Sequence, residues 1–301
     1  MGREVAGSGH RITRILAYTA VYVLWGGSFL AVREIVVAAP PFLAASVRFL
    51  IAGLVLIVWG RAIRAPIPTR REIGSTALLG LILFAINYAC LFWAEQRVAS
   101  GYAAVISATV PVWVFAGEWL VLRAFRPSAA AITGMVFGIS GVALLVLPGS
   151  GGEWTFAALA LLVGAICWAG GTLLSLRIPM PRSRHVSAGL QMWFGGLMLL
   201  VLSAVSGDLW RFGETARIWN LRLTFDMAYL IGAASIAAFL AYLWLIDHEP
   251  SGSVASYAYV NPLIAVVLGA VVAGERLAPA QIAGGALVLA GVVVTLRFRR
   301  A

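Results

Sequence analysis

The sequence contains no lysine, only two cysteines and three histidines, and charged residues of any kind make up 11 % of its 301 residues. Each scarcity closes off a class of protein. Soluble domains carry about 25 % charged residues, so a chain this short of charge cannot present an ordinary aqueous surface. Cys90 and Cys167 both sit inside apolar runs; they offer no disulfide framework and read as packing residues. His10, His185 and His248 fall outside the apolar runs, and no H-E-x-x-H pattern occurs. An intramembrane enzyme would need such groups beside a nucleophile, so no catalytic residue, metal ligand or cofactor is expected. No G-x-x-x-x-G-K-[ST] phosphate loop occurs, and the termini and connections are too short for a soluble domain. Any driving energy would come from a gradient or a separate partner.

What the chain does have is apolar length. Hydrophobic residues make up 61 % of it. A hydrocarbon core of about 30 Å takes roughly 20 apolar residues per helix. Ten segments meet that length: 12–33, 41–60, 73–94, 99–121, 128–147, 154–177, 186–206, 223–246, 251–273 and 279–297. The expected fold is an all-α integral membrane protein of ten transmembrane helices. The first run, from Ile12 to Val32, is too long for a signal-peptide core, and no A-x-A pattern follows it.

The net charge of +10 is not a nucleic-acid signal here, because the arginines lie in short clusters between apolar runs. Such clusters set topology. With the N-terminus inside, fifteen of the 22 arginines flank the inner ends of the spans, six flank the outer ends, and Arg48 lies within span 2. Both termini are therefore expected in the cytoplasm, as an even span count requires.

The sequence repeats itself. An offset of 151 places Trp93 on Trp244, Ser100-Gly101 on Ser251-Gly252, and Pro111 on Pro262. An offset of 150 places Gly134 on Gly284 and Gly141 on Gly291. An offset of 143 places Trp25 on Trp168, Gly27 on Gly170, Arg48 on Gln191 and Gly53 on Gly196. The expected copies are residues 1–148 (helices 1–5) and 149–301 (helices 6–10). Five spans per copy is an odd number, so the second copy must enter the membrane from the opposite side. Inverted repeats of this kind hold their substrate near the midplane, at the interface of the copies, and alternate between two access states.

The stretch from Ser251 to Val294 carries Pro262, a Gly274-Glu275-Arg276-Leu277 turn and a Gly-rich last span. The first half carries Trp25-Gly26-Gly27-Ser28-Phe29, Pro40-Pro41 and Arg48-Phe49. In these residues nearly the whole chain resembles the EamA family of the drug/metabolite transporter superfamily, and within it the YedA- and YddG-like branches associated with amino-acid and metabolite export. The resemblance implies ten helices, a central cavity, secondary transport and a bacterial inner (plasma) membrane. It does not fix a substrate. One departure stands out: Leu122-Arg123-Ala124-Phe125-Arg126-Pro127 replaces the Gly-Glu-Arg-Leu turn in the first copy, and Gly117-Glu118 follows Pro111 by seven residues instead of thirteen. The two gates are therefore not expected to be equivalent.

Polar groups at mid-depth are the candidate site, because hydrocarbon tolerates them only when they are paired or face a wet cavity. They are Tyr22 and Trp25 on helix 1, Asn87 and Tyr88 on helix 3, and Ser107 and Thr109 on helix 4. Trp168 on helix 6 and Tyr257, Tyr259 and Asn261 on helix 9 complete the set. Trp25 and Trp168 are repeat mates that either bracket a substrate across a cavity or pack between helices. Asn87 and Asn261 either bind a substrate amine or carboxylate or bond to a neighbouring helix. Tyr257 and Asn261 are i, i+4 and share a face; Tyr257 and Tyr259 do not. Substrate contact is assigned to Tyr22, Trp25, Asn87, Tyr88, Ser107, Trp168, Tyr257 and Asn261.

Outside that set, Pro111 and Pro262 kink helices 4 and 9, as hinges or as static bends. Arg48, Glu118 and Glu275 are candidate gating or bracing residues, with Glu118 expected to pair with Arg123 or Arg126. Asp247, His248 and Glu249 read as a solvated turn, with a gate or proton relay by a titrating His beside carboxylates the lesser option. Gly134-x-x-x-Gly138 and Gly284-Gly285 read as a close contact between helices 5 and 10, with dimerisation the lesser option to a monomer.

Three functions compete. The leading one is export of amino acids or similar small amphipathic metabolites by alternating access. A proton-coupled exporter of cationic drugs needs an embedded carboxylate, and none is found at mid-depth. The third, an intramembrane enzyme, lacks the residues. The expected partners are a small-molecule substrate and the lipid bilayer.

Overall fold

In the computed structural model, which describes residues 2–123, 127–146, 152–211, 213, 219–249, 254 and 256–298, all regular structure is helical and no strand occurs among those residues. The helices are α1 Gly2–Ala38, α2 Pro41–Ala62, α3 Arg70–Glu95, α4 Ser100–Val121, α5 Ala129–Val146, α6 Gly152–Ser175, α7 Arg184–Ser206, α8 Leu221–His248, α9 Tyr257–Val272 and α10 Pro279–Arg297. Seven are long and apolar enough to cross a membrane: Arg11–Ala38 within α1, α2, α3, α4, Thr155–Ser175 within α6, α7 and α8. The described apolar parts of α5, α9 and α10 are shorter, at Ala129–Gly141, Tyr257–Val272 and Gln281–Thr295. Ten full-length spans were expected. The 16 residues of α9 rise about 24 Å, less than the hydrocarbon thickness. Residues 251–253, expected as the start of that span, lie outside the described residues.

The helix starts follow local chemistry. Pro41 opens α2 at a position where a missing N–H costs nothing. Thr69 and Glu72 form a capping box at α3, with the Thr69 amide donating to Glu72 Oε2 at 2.7 Å. Asn220 caps α8 by accepting from the Leu223 amide at 3.0 Å.

Two helix pairs approach closely enough to exclude side chains. A Cβ on Gly53 of α2 would lie 2.7 Å from the Trp193 nitrogen and 2.8 Å from the Gly189 carbonyl oxygen of α7. A Cβ on Gly134 of α5 would lie 2.6 Å from the Thr295 nitrogen of α10. These are the small-residue contacts by which apolar helices pack without a hydrophobic driving force. The expected contact between helices 5 and 10 is present. The buried core runs through Phe49, Leu56, Phe84, Phe92, Met192 and Leu199. Leu120, Val201, Val205, Val271 and Ile282 are exposed, an apolar exterior suited to lipid.

Three departures from regular helix were not expected. Gly80–Ile86 of α3 and Tyr229–Ala237 of α8 are π-helical, as is the last turn of α4, Gly117–Val121. Under the offset of 151 the first two overlap. α4 is also broken at Ala108–Thr109, ahead of Pro111. α9 carries Pro262 without a break, so the two prolines do not produce equal bends.

Positive φ occurs at four of the described residues: Arg64 (57°), Arg123 (48°), Gly207 (89°) and Gly274 (65°). They fall into two pairs. Arg64 maps onto Gly207 under the offset of 143, and Arg123 onto Gly274 under the offset of 151. Each ends a helix with a left-handed residue, the conformation that favours glycine.

Candidate functional site

Five helices surround a cavity of about 100 Å³. Its wall takes Trp25, Ser28 and Phe29 from α1, Asn87, Tyr88 and Leu91 from α3, and Ala104, Ser107, Ala108 and Val110 from α4. The other half supplies Ala165 and Trp168 from α6, with Tyr257, Ala258 and Asn261 at α9. No charged side chain is among them.

Seven of the eight residues assigned to substrate from sequence meet at this wall: Trp25, Asn87, Tyr88, Ser107, Trp168, Tyr257 and Asn261. Tyr22 does not. Its hydroxyl lies 2.6 Å from Ser256 Oγ, tying α1 to the start of α9. Tyr259 is also absent from the wall, as its position two residues from Tyr257 requires.

The aromatic rings contact one another directly. The Trp25 and Trp168 centroids are 6.2 Å apart, edge to face. Tyr257 meets Trp25 edge to face at 5.4 Å, and Tyr242 meets it at 5.0 Å. Tyr88 stands edge to face with Trp168 at 6.4 Å. The repeat-related tryptophans therefore both face the cavity and touch. The Trp25 Nε1–H donates to the Ala234 carbonyl at 3.0 Å. That acceptor lies in the π-helical part of α8, where widened turns displace carbonyls from the regular ladder.

The two asparagines are partly committed to the fold. Asn87 Nδ2 donates to the Leu83 carbonyl one turn back at 3.4 Å. The Asn261 amide nitrogen, oriented toward the acceptors beside it, donates to the carbonyls of Tyr22 (3.2 Å) and Tyr257 (3.3 Å). Thr109 is buried away from the cavity, its hydroxyl donating to the Ile106 carbonyl at 2.7 Å and accepting from Trp113 Nε1 at 3.1 Å.

Arg48 is fully buried. Its Nε donates to Ser235 Oγ on α8 at 2.8 Å. Its guanidinium lies 4.8 Å from the Phe49 ring centroid and 5.1 Å from that of Tyr88. It links α2, α3 and α8 behind the cavity wall and holds Tyr88 from the rear.

Glu275 lies away from the cavity, at the α9–α10 connection. Gly274, in the left-handed conformation, ends α9 and turns the chain back. The Glu275 carboxylate then reaches the first residues of α4. Oε1 accepts from the Ser100 amide at 3.0 Å, and Oε2 accepts from the Ser100 hydroxyl at 2.8 Å and from the Gly101 amide at 3.4 Å. The residue before α4 is Ala99, which has no capping side chain. Glu275 caps that helix from 175 positions away, where a negative charge complements the free amides and the helix dipole.

Glu118 lies in the π-helical end of α4 and does not line the cavity. Arg126, one of its expected partners, lies outside the described residues. At the Asp247–Glu249 turn, Asp247 pairs with Arg184, Arg14 lies 3.9 Å from Glu249, and His248 stacks on Trp244. That turn is a set of peripheral pairs, remote from the cavity wall.

Sequence reasoning missed Ser28, Phe29, Tyr242, Ser235 and Glu95. Ser28 and Phe29 are three and four residues after Trp25, so helical spacing marked them. Glu95 ends α3 fully buried, with its backbone carbonyl accepting from Arg33. No local pattern marks it.

The chain matches the EamA-like transporter family over residues 13–147 and again over 155–297. It is 34 % identical to the inner membrane transporter YedA of Escherichia coli (strain K12), over 93 % of this chain and 90 % of that protein. It is 26 % identical to the transporter YvbV of Bacillus subtilis (strain 168), over 94 % and 90 % respectively. A solved crystal structure shares the fold, with a TM-score of 0.63 at 20 % identity over 96 % of this chain and 99 % of that chain.

Proposed function

The chain belongs to the EamA-like transporter family, and on that footing we propose that it exports amino acids or similar small amphipathic metabolites across a bacterial inner membrane by alternating access. The observation that carries this proposal is the cavity, an uncharged aromatic and amide enclosure walled by both halves of the chain. Ring faces suit an apolar side chain, and the polar groups among them suit a small zwitterion.

Ten spans in two inverted five-helix copies, residues 1–148 and 149–301, form its frame, with both termini cytoplasmic. Support comes from the doubled family match. It comes also from the left-handed residues that pair under the repeat offsets, and from the overlapping π-helical stretches of α3 and α8. The contacts fit as well: α2 packs on its repeat mate α7, and α5 on its mate α10.

The cationic-drug alternative draws less support, since no carboxylate among the described residues lines the wall. The test is reconstitution in liposomes with labelled amino acids. Flux above that of empty vesicles, reduced in Trp168→Ala, is expected; no such flux for any amino acid would sink the substrate class.

A further inference from the structure

We propose that the cavity holds a cation subsite built from main chain, the carbonyls of Ser107 and Ala258, which binds a primary ammonium group. It rests on reading this cavity as the substrate site. In a helix the carbonyl of residue i accepts from the amide of residue i+4, and proline has no amide hydrogen to give. Pro111 stands four residues after Ser107, and Pro262 four residues after Ala258. Both carbonyls thereby lose their regular i+4 helical donor. Both residues line the cavity, and they are repeat mates under the offset of 151, so one such acceptor comes from each half.

The surroundings agree with this use. Beyond Ser107 the following donors turn elsewhere: the Ala108 amide to the Ala104 carbonyl at 3.0 Å, and both the Thr109 amide and its hydroxyl to Ile106. The helix is broken there instead of closing over the carbonyl. An acceptor without a donor in an apolar enclosure costs free energy, which an incoming N–H donor recovers. An ammonium brings three N–H donors. The rings of Trp25, Trp168 and Tyr257 add faces that attract a cation. Among the described residues, no arginine lines the wall to repel it and no carboxylate lines it to bind the cation instead. Carbonyls released by interrupted helices coordinate cations in other inverted-repeat transporters.

The test titrates purified protein in nanodiscs by calorimetry with phenethylammonium, its N,N,N-trimethyl counterpart and propylbenzene, the last two of which have no donor to give. The carbonyls need N–H donors, so the primary ammonium should bind about tenfold more tightly than either of the other two. Pro111→Ala and Pro262→Ala each restore an amide donor. Each should weaken the primary ammonium by about tenfold and leave propylbenzene, which donates nothing, unchanged. Equal or tighter binding of the trimethyl compound to the unmodified protein overturns the subsite, because ring faces alone would give that order. Parallel weakening of amine and propylbenzene in the proline variants overturns it too, since that reports altered shape. The comparison of the three ligands on the unmodified protein stands even where a proline variant fails to fold. Absent liposome flux with an intact ammonium preference defeats the transport proposal and leaves the subsite; intact flux without that preference does the reverse.

Discussion

Removing the Glu275 carboxylate should open one end of the transporter. The carboxylate ties the α9–α10 connection to the first turn of α4, two segments from different halves of the chain. Hydrogen bonds to a charged acceptor contribute about 1.5–3 kcal/mol each when buried. Glu275 is half-buried, so solvent screening cuts each of its two shorter bonds to about 1 kcal/mol. The longer one, to Gly101, adds little. The tie is then worth about 2 kcal/mol, and at 1.4 kcal/mol per factor of ten its loss shifts an equilibrium roughly thirtyfold. Under the proposed topology this is the outer end, which the tie is proposed to hold closed. With Cys90 and Cys167 replaced by alanine and Ser107→Cys as a reporter, a membrane-impermeant thiol reagent added outside should react about thirtyfold faster in Glu275→Ala. Glu275→Gln keeps an acceptor oxygen and should lie between. An unchanged labelling rate in Glu275→Ala, together with a lowered melting temperature, would show that the residue braces the fold and gates nothing.

Three further outcomes are expected. Gly134→Val should destabilise the protein by about 2 kcal/mol, because its Cβ meets the α10 backbone, which cannot yield as a side chain would; an unchanged melting temperature would contradict the close approach. Arg48→Ala should cost about 3 kcal/mol through the lost Ser235 bond, the lost ring contacts and the space left behind, and a melting temperature equal to that of the unmodified protein would refute bracing. An uncoupler should leave flux down the substrate's own gradient intact, since no carboxylate lines the cavity; abolished flux would require proton coupling.

Much of this site was legible because membrane depth and helical phase are both readable from sequence. Trp25, Trp168, Asn87 and Tyr88 stood out as polar or amphipathic groups in the middle of apolar runs, where burial in hydrocarbon is costly. The i, i+4 spacing then chose Tyr257 with Asn261 over Tyr259. What was not legible is whatever depends on a partner distant in sequence. The cap on α4 comes from Glu275, and nothing near Ser100 announces it. Arg48 was visible as a lone buried charge, yet its partner Ser235 is an unremarkable serine 187 residues away. The π-helical stretches were hidden because Gly80–Ile86 and Tyr229–Ala237 have the same apolar composition as regular helix. Tyr22 had the right depth and the wrong direction: a hydroxyl partner at Ser256 holds it off the wall.

The places where the two copies differ bear on direction of transport. A pair of inverted copies with identical sequences would have two access states of equal energy. Every mismatch at a gate biases that balance, and 1.4 kcal/mol is enough for a tenfold preference. Here the mismatches accumulate on one side. Glu275 maps onto Ala124, which has no carboxylate, so the capping tie has no counterpart of the same kind. Gly274 and Gly207 enter the left-handed region without strain, whereas their mates Arg123 and Arg64 hold that conformation at about 1–2 kcal/mol each. α4 breaks before its proline and α9 does not. The second copy thus ends its helices at low cost and supplies the tie, while the first carries the strain and the interruption. We propose on these grounds a resting preference for closure at the Glu275 end, with the substrate admitted from the other side first, the order an exporter requires.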